Sequence, residues 1–337
     1  IHRRFPGQRL LLVYPPRPRA TPTDQALAGC LCRNATPEPL ISSPRTGHPR
    51  TACEHQPAPC GLRLPTRPRK HAFSGSNPMT TRERIGNVDF SVMPLTDAVD
   101  LVLALNEQLP DCGHPGIGVH FANAYNVAIA RSNSHYAHLL NSADYVFSDG
   151  VPITWVGKRA YPHLTQKWQR VYGPDVMTMA LERSQPDSPR HFLLGSTPEV
   201  LERLTQRIRA RFPAANIAGT DSPPFAAPTG VELQARDARI TASGATHVWV
   251  GLGTPKQDCE VQRLANSIPV VALAVGAAFD FLAETTPQAP RWMQRSGLEW
   301  SYRFAREPRR LAKRYLWGNS VFSLEAARTL RRASNHD

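Results

Sequence analysis

Short apolar segments alternate with longer amphipathic segments along the middle of the chain, and this alternation sets the fold class. The apolar segments have the length and composition of buried strands, and the segments between them have helical spacing. Strands interleaved with helices predict an α/β fold with a mostly parallel, Rossmann-like sheet that carries helices on both faces. We place strands at 117–121, 145–147, 191–194, 246–250 and 270–275, and an amphipathic helix at 199–211.

The net charge of +13 is concentrated at the two ends of the chain. Basic residues outnumber acidic ones in 1–78 and again in 291–337, which favours surface attachment or a loose tail over a basic face for nucleic acid. Residues 1–78 are rich in proline and arginine, show no periodicity and precede the first methionine, Met79. We expect a disordered extension there, either upstream of the natural start or a genuine tail. An α/β domain over 79–290 and a basic, amphipathic helical appendage over 291–337 complete the predicted organisation.

The cysteines and apolar runs exclude two classes of protein. Four of the six cysteines lie in 1–78, so no disulfide framework supports the core, and they lack the paired C-x-x-C spacing of common zinc sites. No run approaches the ~18 apolar residues of a membrane span, and the apolar segment near the N-terminus is too short for a secretory signal. We therefore expect the protein on the cytoplasmic side.

Several residues that can bind ligands stand where predicted strands end. Ligands of parallel sheets bind beyond the carboxyl ends of the strands, so we expect these residues to face one crevice. Asp149 has two interpretations, a general base in that crevice or the cap of the helix that follows, and Asn123 is either a substrate contact or a helix cap. Gly195 and Gly253 could let phosphates approach backbone N–H groups. Gly276 is the last of the residues that we expect to face this crevice.

Cationic and amide side chains near the same crevice could bind phosphate and hydroxyl groups. Arg170 is a candidate for bidentate contact with a diphosphate, against the alternative of an ordinary surface arginine. Lys256 could bind phosphate or remain solvated, and the amide of Gln257 could bind ligand hydroxyl groups. The chain contains no Asp-x-Asp pair, a common arrangement for holding a divalent metal against a diphosphate, so we expect neither a metal nor another cofactor.

Ordered motifs extend over roughly residues 85–317. They are Asn123-Ala124, Asp149-Gly150, Arg170 to Asp175, GLGTPKQD from Gly251, GAAFDFLAE from Gly276, APRWM from Ala289 and GLEWSYR from Gly297. Together they resemble the WecG/TagA/CpsF family of bacterial glycosyltransferases, glycosyltransferase family 26. The resemblance implies catalytic roles for Asp149 as the base, for Arg170 and for Gln257. It implies substrate binding by Asn123, Gly195, Gly253, Lys256 and Gly276.

Two departures from the family pattern leave the donor sugar open. Phe121 replaces a hydroxyl residue, and 221–225 replaces Asp-Gly-Tyr-Phe, both close to where specificity would be set. N-acetylmannosamine, its uronic acid, glucose and glucuronic acid all remain candidates.

The C-terminal segment combines aromatic and basic side chains at close spacing. Over 297–322 the two kinds are interleaved, and Pro308 is expected to divide the segment into two helices. This pattern suits a peripheral anchor on an anionic membrane, with a solvated helix packed on the body and RNA binding as the alternatives. The resemblance implies that the appendage completes the active site at the membrane. We expect Arg303, Arg310 and Lys313 to contact the diphosphate of a lipid-linked acceptor.

The sequence thus predicts an inverting, metal-independent glycosyltransferase of surface polysaccharide assembly. It would move a sugar from a UDP-sugar to a polyprenyl-diphosphate-linked saccharide at the inner face of the cell membrane, without nucleic acid, and a homo-oligomer stays open. One alternative is a dinucleotide-dependent oxidoreductase, although no strand is followed by Gly-x-Gly-x-x-Gly with an acidic residue ~20 positions on. The other alternative is a membrane- or nucleic-acid-binding protein without catalysis.

Overall fold

The computed structural model describes residues 81–109, 116–185, 189–224, 226 and 228–335. The extension predicted for 1–78, with its four cysteines, lies outside these residues. A hairpin of two antiparallel strands opens the described part, β1 Arg82–Ile85 and β2 Val88–Ser91. The strands that follow are β3 Ile117–Ala122, β4 Tyr145–Ser148, β5 Arg190–Gly195, β6 Asn216–Asp221, β7 His247–Gly251 and β8 Val271–Ala274.

Strands β3 to β8 form one sheet in the order β4-β3-β8-β7-β5-β6, and every neighbouring pair is parallel. The connecting helices are α1 Leu95–Ala104, α2 Ala124–Ser132, α3 Ser134–Asn141, α4 Val151–Ala160, α5 Gly173–Glu182, α6 Pro198–Arg211, α7 Gly230–Ala242, α8 Lys256–Ser267 and α9 Ala278–Leu282. The C-terminal helices are α10 Arg291–Arg295, α11 Glu299–Arg306 and α12 Pro308–Ser334. Short 3-10 helices cover Leu105–Gln108 and Pro162–Leu164.

Strand side chains alternate between two apolar layers, as the pleat of a sheet requires. Trp249 of β7 and Leu273 of β8 face a layer that contains side chains of α1, α5, α6 and α9. Their neighbours Val248 and Ala272 face the opposite layer, which includes side chains of α7 and α8. The predicted α/β fold with helices on both faces is therefore confirmed.

The predicted strands match the observed ones to within one residue at each end. The hairpin and β6 were not predicted. Strand β6 is an edge strand of sequence NIAGTD with few apolar side chains, so it lacks the apolar run of an inner strand. The boundary expected at Pro308 is confirmed, since α11 ends at Arg306 and α12 begins at Pro308.

Helix α12 packs against α2 and the hairpin. Gly318 gives α2 room, because a Cβ at this position would lie 3.0 Å from the ring of Tyr125. Further along α12, Phe322 and Ala326 are buried in one cluster with Val127 of α2. The backbone N–H of Gly86 donates to Oγ1 of Thr329 at 3.0 Å, which ties the hairpin turn to the same helix. The last turns of the appendage are thus part of the core.

Within the part of the chain that the structure describes, no helix is both long enough and apolar enough to cross a membrane.

Candidate active site

The residues predicted from strand ends lie along one edge of the sheet. All six strands are parallel, so their carboxyl ends share this edge, which we call the carboxyl edge. Asp149 follows β4, Asn123 follows β3, and Gly276 follows β8. Gly253 follows β7, and Gly195 is the last residue of β5.

The carboxyl group of Asp149 is held between two neighbours. Its Oδ1 accepts from the backbone N–H of Gly173 at 3.1 Å, and its Oδ2 accepts from Nδ2 of Asn123 at 3.4 Å. The helix after Asp149, α4, has Gly150 as its N-cap residue and no side-chain cap bond. Asp149 therefore does not cap the helix that follows it. It points across the edge to the first residue of α5.

Burial makes the Asp149 carboxyl group a weaker acid than an ordinary aspartate. Burial raises the pKa of Asp149 from 3.8 to about 6, and Arg170 and the Gly173 N–H oppose the rise. Glu299, on the C-terminal segment, contributes a further increase in this pKa. A carboxyl group with a pKa near neutrality is well suited to take up and release a proton in catalysis.

The raised pKa predicts a pH-dependent cost to stability. A group whose pKa is higher in the folded protein stabilises the fold at low pH, and this stability is lost as pH rises through the folded value. Relative to Asp149→Asn, the wild-type chain should therefore lose up to about 3 kcal/mol of unfolding free energy between pH 3.8 and about 6. Denaturant unfolding of both proteins across this window measures the difference. A difference that does not change with pH would contradict the raised pKa.

Asn123 is a helix cap, one of the two interpretations that the sequence left open, and it also contacts Asp149. Its Oδ1 accepts from the backbone N–H of Tyr125 at 3.0 Å and caps α2. Asn126 completes the capping box by accepting from the Asn123 N–H at 3.1 Å. The Nδ2 of Asn123 donates to Oδ2 of Asp149. The cap thus fixes the side chain that holds one oxygen of Asp149.

Arg170 lies beside Asp149 and is not an ordinary surface arginine. Its Nε donates to the backbone oxygen of Asp149 at 3.0 Å, and its Nη2 donates to Oε2 of Glu299 at 2.5 Å. Its Nη1 donates to the backbone oxygen of Gln294 at 3.4 Å. The guanidinium also stacks 3.8 Å from the ring centre of Tyr172. These bonds use three of the five N–H groups of a guanidinium, so two remain for a ligand.

Gln257 is buried and stabilises the loop after β7 through hydrogen bonds. Its Oε1 accepts from the Gly253 N–H at 3.0 Å, and its Nε2 donates to the Ala274 oxygen at 3.2 Å. Gly276 lies against the same amide, because a Cβ there would be 3.2 Å from Gln257 Oε1. The structure therefore brings Gln257, Gly253 and Gly276 together and shows Gln257 fixing the loop between two strand ends.

The remaining predicted residues of the crevice differ in their surroundings. Lys256 is exposed at the first position of α8, beside the Gly253 loop. Gly195 is required by the sheet itself, since its φ is +125° and a Cβ would lie 2.6 Å from the Gly251 oxygen. Phe121 is buried and packs against Gly173, because a Cβ added to Gly173 would lie 3.4 Å from the Phe121 ring.

The basic residues predicted to meet an acceptor diphosphate lie on α11 and α12. The Arg303 guanidinium lies 5.8 Å from the ring centre of Phe281, which belongs to α9 next to Gly276. Arg303 is thus close to the carboxyl edge. The side chains of Arg310 and Lys313 lie outside the described part of the structure.

Sequence reasoning assigned no role to two residues of this site, Glu299 and Tyr172. Glu299 accepts from Arg170 and, at 2.7 Å, from the hydroxyl of Tyr172. Both stand inside quoted motifs, GLEWSYR and the segment from Arg170 to Asp175, so motif membership was the available signal. Among the described residues, no group of three or more His, Cys, Asp or Glu side chains is arranged to hold a metal ion.

Comparison with known families identifies the chain. The model of the glycosyl transferase WecG/TagA/CpsF family matches residues 83–336, a range that contains the sheet, the site around Asp149 and α12. The match covers most of the chain and agrees with the ordered motifs. The chain therefore belongs to the WecG/TagA/CpsF family of glycosyltransferases, enzymes of cell-surface polysaccharide biosynthesis.

Proposed function

We propose that the protein transfers a hexose-type sugar, with inversion and without a metal, from a UDP-sugar to a saccharide carried on a polyprenyl diphosphate. The observation that carries this proposal is the carboxyl group of Asp149. It is held by Gly173 and Asn123 at the carboxyl edge, beside Arg170, and its pKa lies near 6. N-acetylmannosamine, its uronic acid, glucose and glucuronic acid are the donor sugars under this proposal.

Asp149 acts as the general base in the proposed reaction. An oxygen of its carboxylate takes the proton of the acceptor hydroxyl as the hydroxyl oxygen attacks the anomeric carbon of the donor. The bond from that carbon to the diphosphate oxygen breaks, and UDP leaves with the electron pair. With a pKa near 6, the group is ionised at neutral pH and is more basic than an ordinary aspartate.

The leaving diphosphate needs positive charge in place of a metal. Lys256 is exposed beside the Gly253 loop, and it begins α8, whose N-terminus carries partial positive charge. Arg170 keeps two N–H groups for a phosphate oxygen. We assign the diphosphate to the space between these two residues.

A panel of nucleotides and nucleotide sugars tests this proposal. We expect UDP and one UDP-sugar to raise the melting temperature, and NAD(P) to leave it unchanged. Saturation at about 100 times Kd corresponds to about 2.7 kcal/mol of stabilisation, which a melting curve resolves. Transfer to a lipid-linked acceptor should persist in EDTA. Stabilisation by NAD(P) alone, or recovery of lost activity by Mn²⁺ or Mg²⁺, would refute the assignment.

An exposed apolar surface supports placement at the inner face of the cell membrane. Within the described residues, every exposed large apolar side chain except Val231 belongs to α4 or to the appendage over 291–337. These side chains are Trp155, Trp292, Leu298, Trp300, Leu316, Trp317 and Leu324. We call them the membrane-facing surface. Exposed basic residues such as Lys158 of α4 and Arg295 of α10 accompany them and suit anionic headgroups.

Substitution of two tryptophans should weaken membrane binding. We expect Trp292→Ala with Trp317→Ala to lower the partition coefficient on anionic phospholipid vesicles at least about tenfold, because each ring loses apolar contact with lipid. Sedimentation with vesicles at fixed salt measures this change. Val231→Ala is the matched control, since Val231 is 76% exposed on α7 and should bind as the wild type does. Equal binding by all three proteins would exclude this surface.

A further inference from the structure

Glu299 connects the C-terminal segment to the site. It is the first residue of α11, and its side chain is only 13% exposed. Both of its oxygens are bonded to the segment that leads into α5. Oε2 accepts from Arg170 Nη2 at 2.5 Å, and Oε1 accepts from the Tyr172 hydroxyl at 2.7 Å.

The contact continues from Arg170 to Asp149. The same guanidinium that binds Glu299 donates from Nε to the backbone oxygen of Asp149 and stacks on Tyr172. A planar guanidinium held at three points has little rotational freedom, so its position relative to Asp149 is fixed. Loss of Glu299 would free one side of this group and leave a partly buried charge without its counter-ion.

We propose that Glu299 is a positioning residue for Asp149, acting through Arg170 and Tyr172, so that the base reaches its working geometry only when α11 is docked. The inference rests on the proposed role of Asp149 as the base. It concerns a residue of the C-terminal segment whose carboxylate is bonded to Arg170 and Tyr172. Its effect is to make docking of that segment a condition for efficient proton transfer.

The charges around Asp149 make the inference measurable. Arg170 and Glu299 face Asp149, and Asp175 lies near the same pair together with Arg291. Arg170 lowers the pKa of Asp149 and Glu299 raises it. With Glu299→Gln, the charge of Arg170 acts on Asp149 without compensation. The pKa of Asp149 should therefore fall below its wild-type value.

The experiment compares Glu299→Gln with Glu325→Gln in the full chain. Glu325 is also a buried acidic residue of the appendage over 291–337, and it pairs with Arg131 at 3.0 Å and with Arg328. It has no bond to Arg170, so it controls for loss of an ion pair that anchors the same segment. Carbon-13 NMR titration of the Asp149 carboxyl group is the first readout, and kcat with donor and acceptor is the second.

We expect Glu299→Gln to lower both the pKa of Asp149 and kcat, the latter by about 10²-fold, the usual effect of displacing a reacting group by about 1 Å. Glu325→Gln should lower the melting temperature and leave the Asp149 pKa at its wild-type value. An unchanged Asp149 pKa in Glu299→Gln, or the same shift in both variants, would overturn the inference. The NMR readout needs no substrate, so absence of transferase activity would count against the proposed function alone.

Two further variants keep the inference falsifiable if Glu299→Gln does not fold. Glu299→Asp retains the charge and moves it by one methylene, so kcat should fall while the Asp149 pKa stays close to the wild-type value. Tyr172→Phe removes one bond to Glu299 and retains the ion pair, so it should also leave the pKa in place. Wild-type kcat in Glu299→Asp would refute the positioning role.

Discussion

Asp149→Asn is expected to lower kcat by about 10²- to 10⁴-fold, the usual contribution of a positioned general base. An amide is nearly the size of a carboxylate and can still accept from the Gly173 N–H, but it cannot take a proton from the acceptor hydroxyl. Donor binding should persist, because the diphosphate does not depend on this carboxylate. Turnover at saturating donor and acceptor measures the loss, and a melting curve with donor present confirms binding.

Asp144→Asn is the matched control for this substitution. Asp144 precedes β4 at the opposite edge of the sheet, and its Oδ2 also accepts a backbone N–H, that of Gly118 at 2.9 Å. It should keep wild-type turnover. If Asp149→Asn keeps it as well, the base lies elsewhere. Asp175 would be the next candidate, because its pKa is raised by burial and it lies near Arg170.

Phe322→Ala is expected to cost about 3–5 kcal/mol of unfolding free energy, the usual range for removing a buried phenylalanine. Phe322 is 7% exposed and belongs to the cluster formed by the hairpin, α2, α3, α4 and α12. The loss is large because the cavity opens inside a core to which separate parts of the chain contribute. Denaturant unfolding measures it.

Leu324→Ala controls for the effect of shortening a side chain on the same helix. Leu324 is 61% exposed, so its substitution should change the free energy of unfolding by no more than about 0.5 kcal/mol. Similar small losses in both variants would show that the last turns of α12 are not part of the core. A difference of several kcal/mol would instead mean that removal of the appendage destabilises the sheet domain itself.

The sequence predicted the sheet well for a physical reason. Its inner strands are buried on both faces, so they appear as short apolar runs, and β7 and β8 are clear examples. The ends of such runs also located Asn123 and Asp149. Strand β6 was not recognised, because an edge strand needs no apolar run.

The contacts of the site could not be predicted in the same way. Arg170 was recognised as a phosphate candidate, but its bond to Glu299 joins residues 129 positions apart, and no local pattern encodes such a pair. Gln257 was expected to touch sugar, and the structure shows its amide bonded to two backbone groups. The sequence did not predict that Trp155 would be exposed. The pattern of one helix does not show which of its faces another helix covers.

The bond between Gly86 and Thr329 has a consequence for how the chain acquires its structure during synthesis. It joins residues 243 positions apart, and the cluster around Phe322 joins the same two regions. Ile85, Val88 and Phe90 of the hairpin therefore have no α12 to cover them until the ribosome has made that helix. Apolar side chains that stay uncovered during synthesis make a nascent chain prone to aggregation. Contacts between residues far apart in the sequence also slow folding. Completion of this core is consequently a late event, which follows translation of α12.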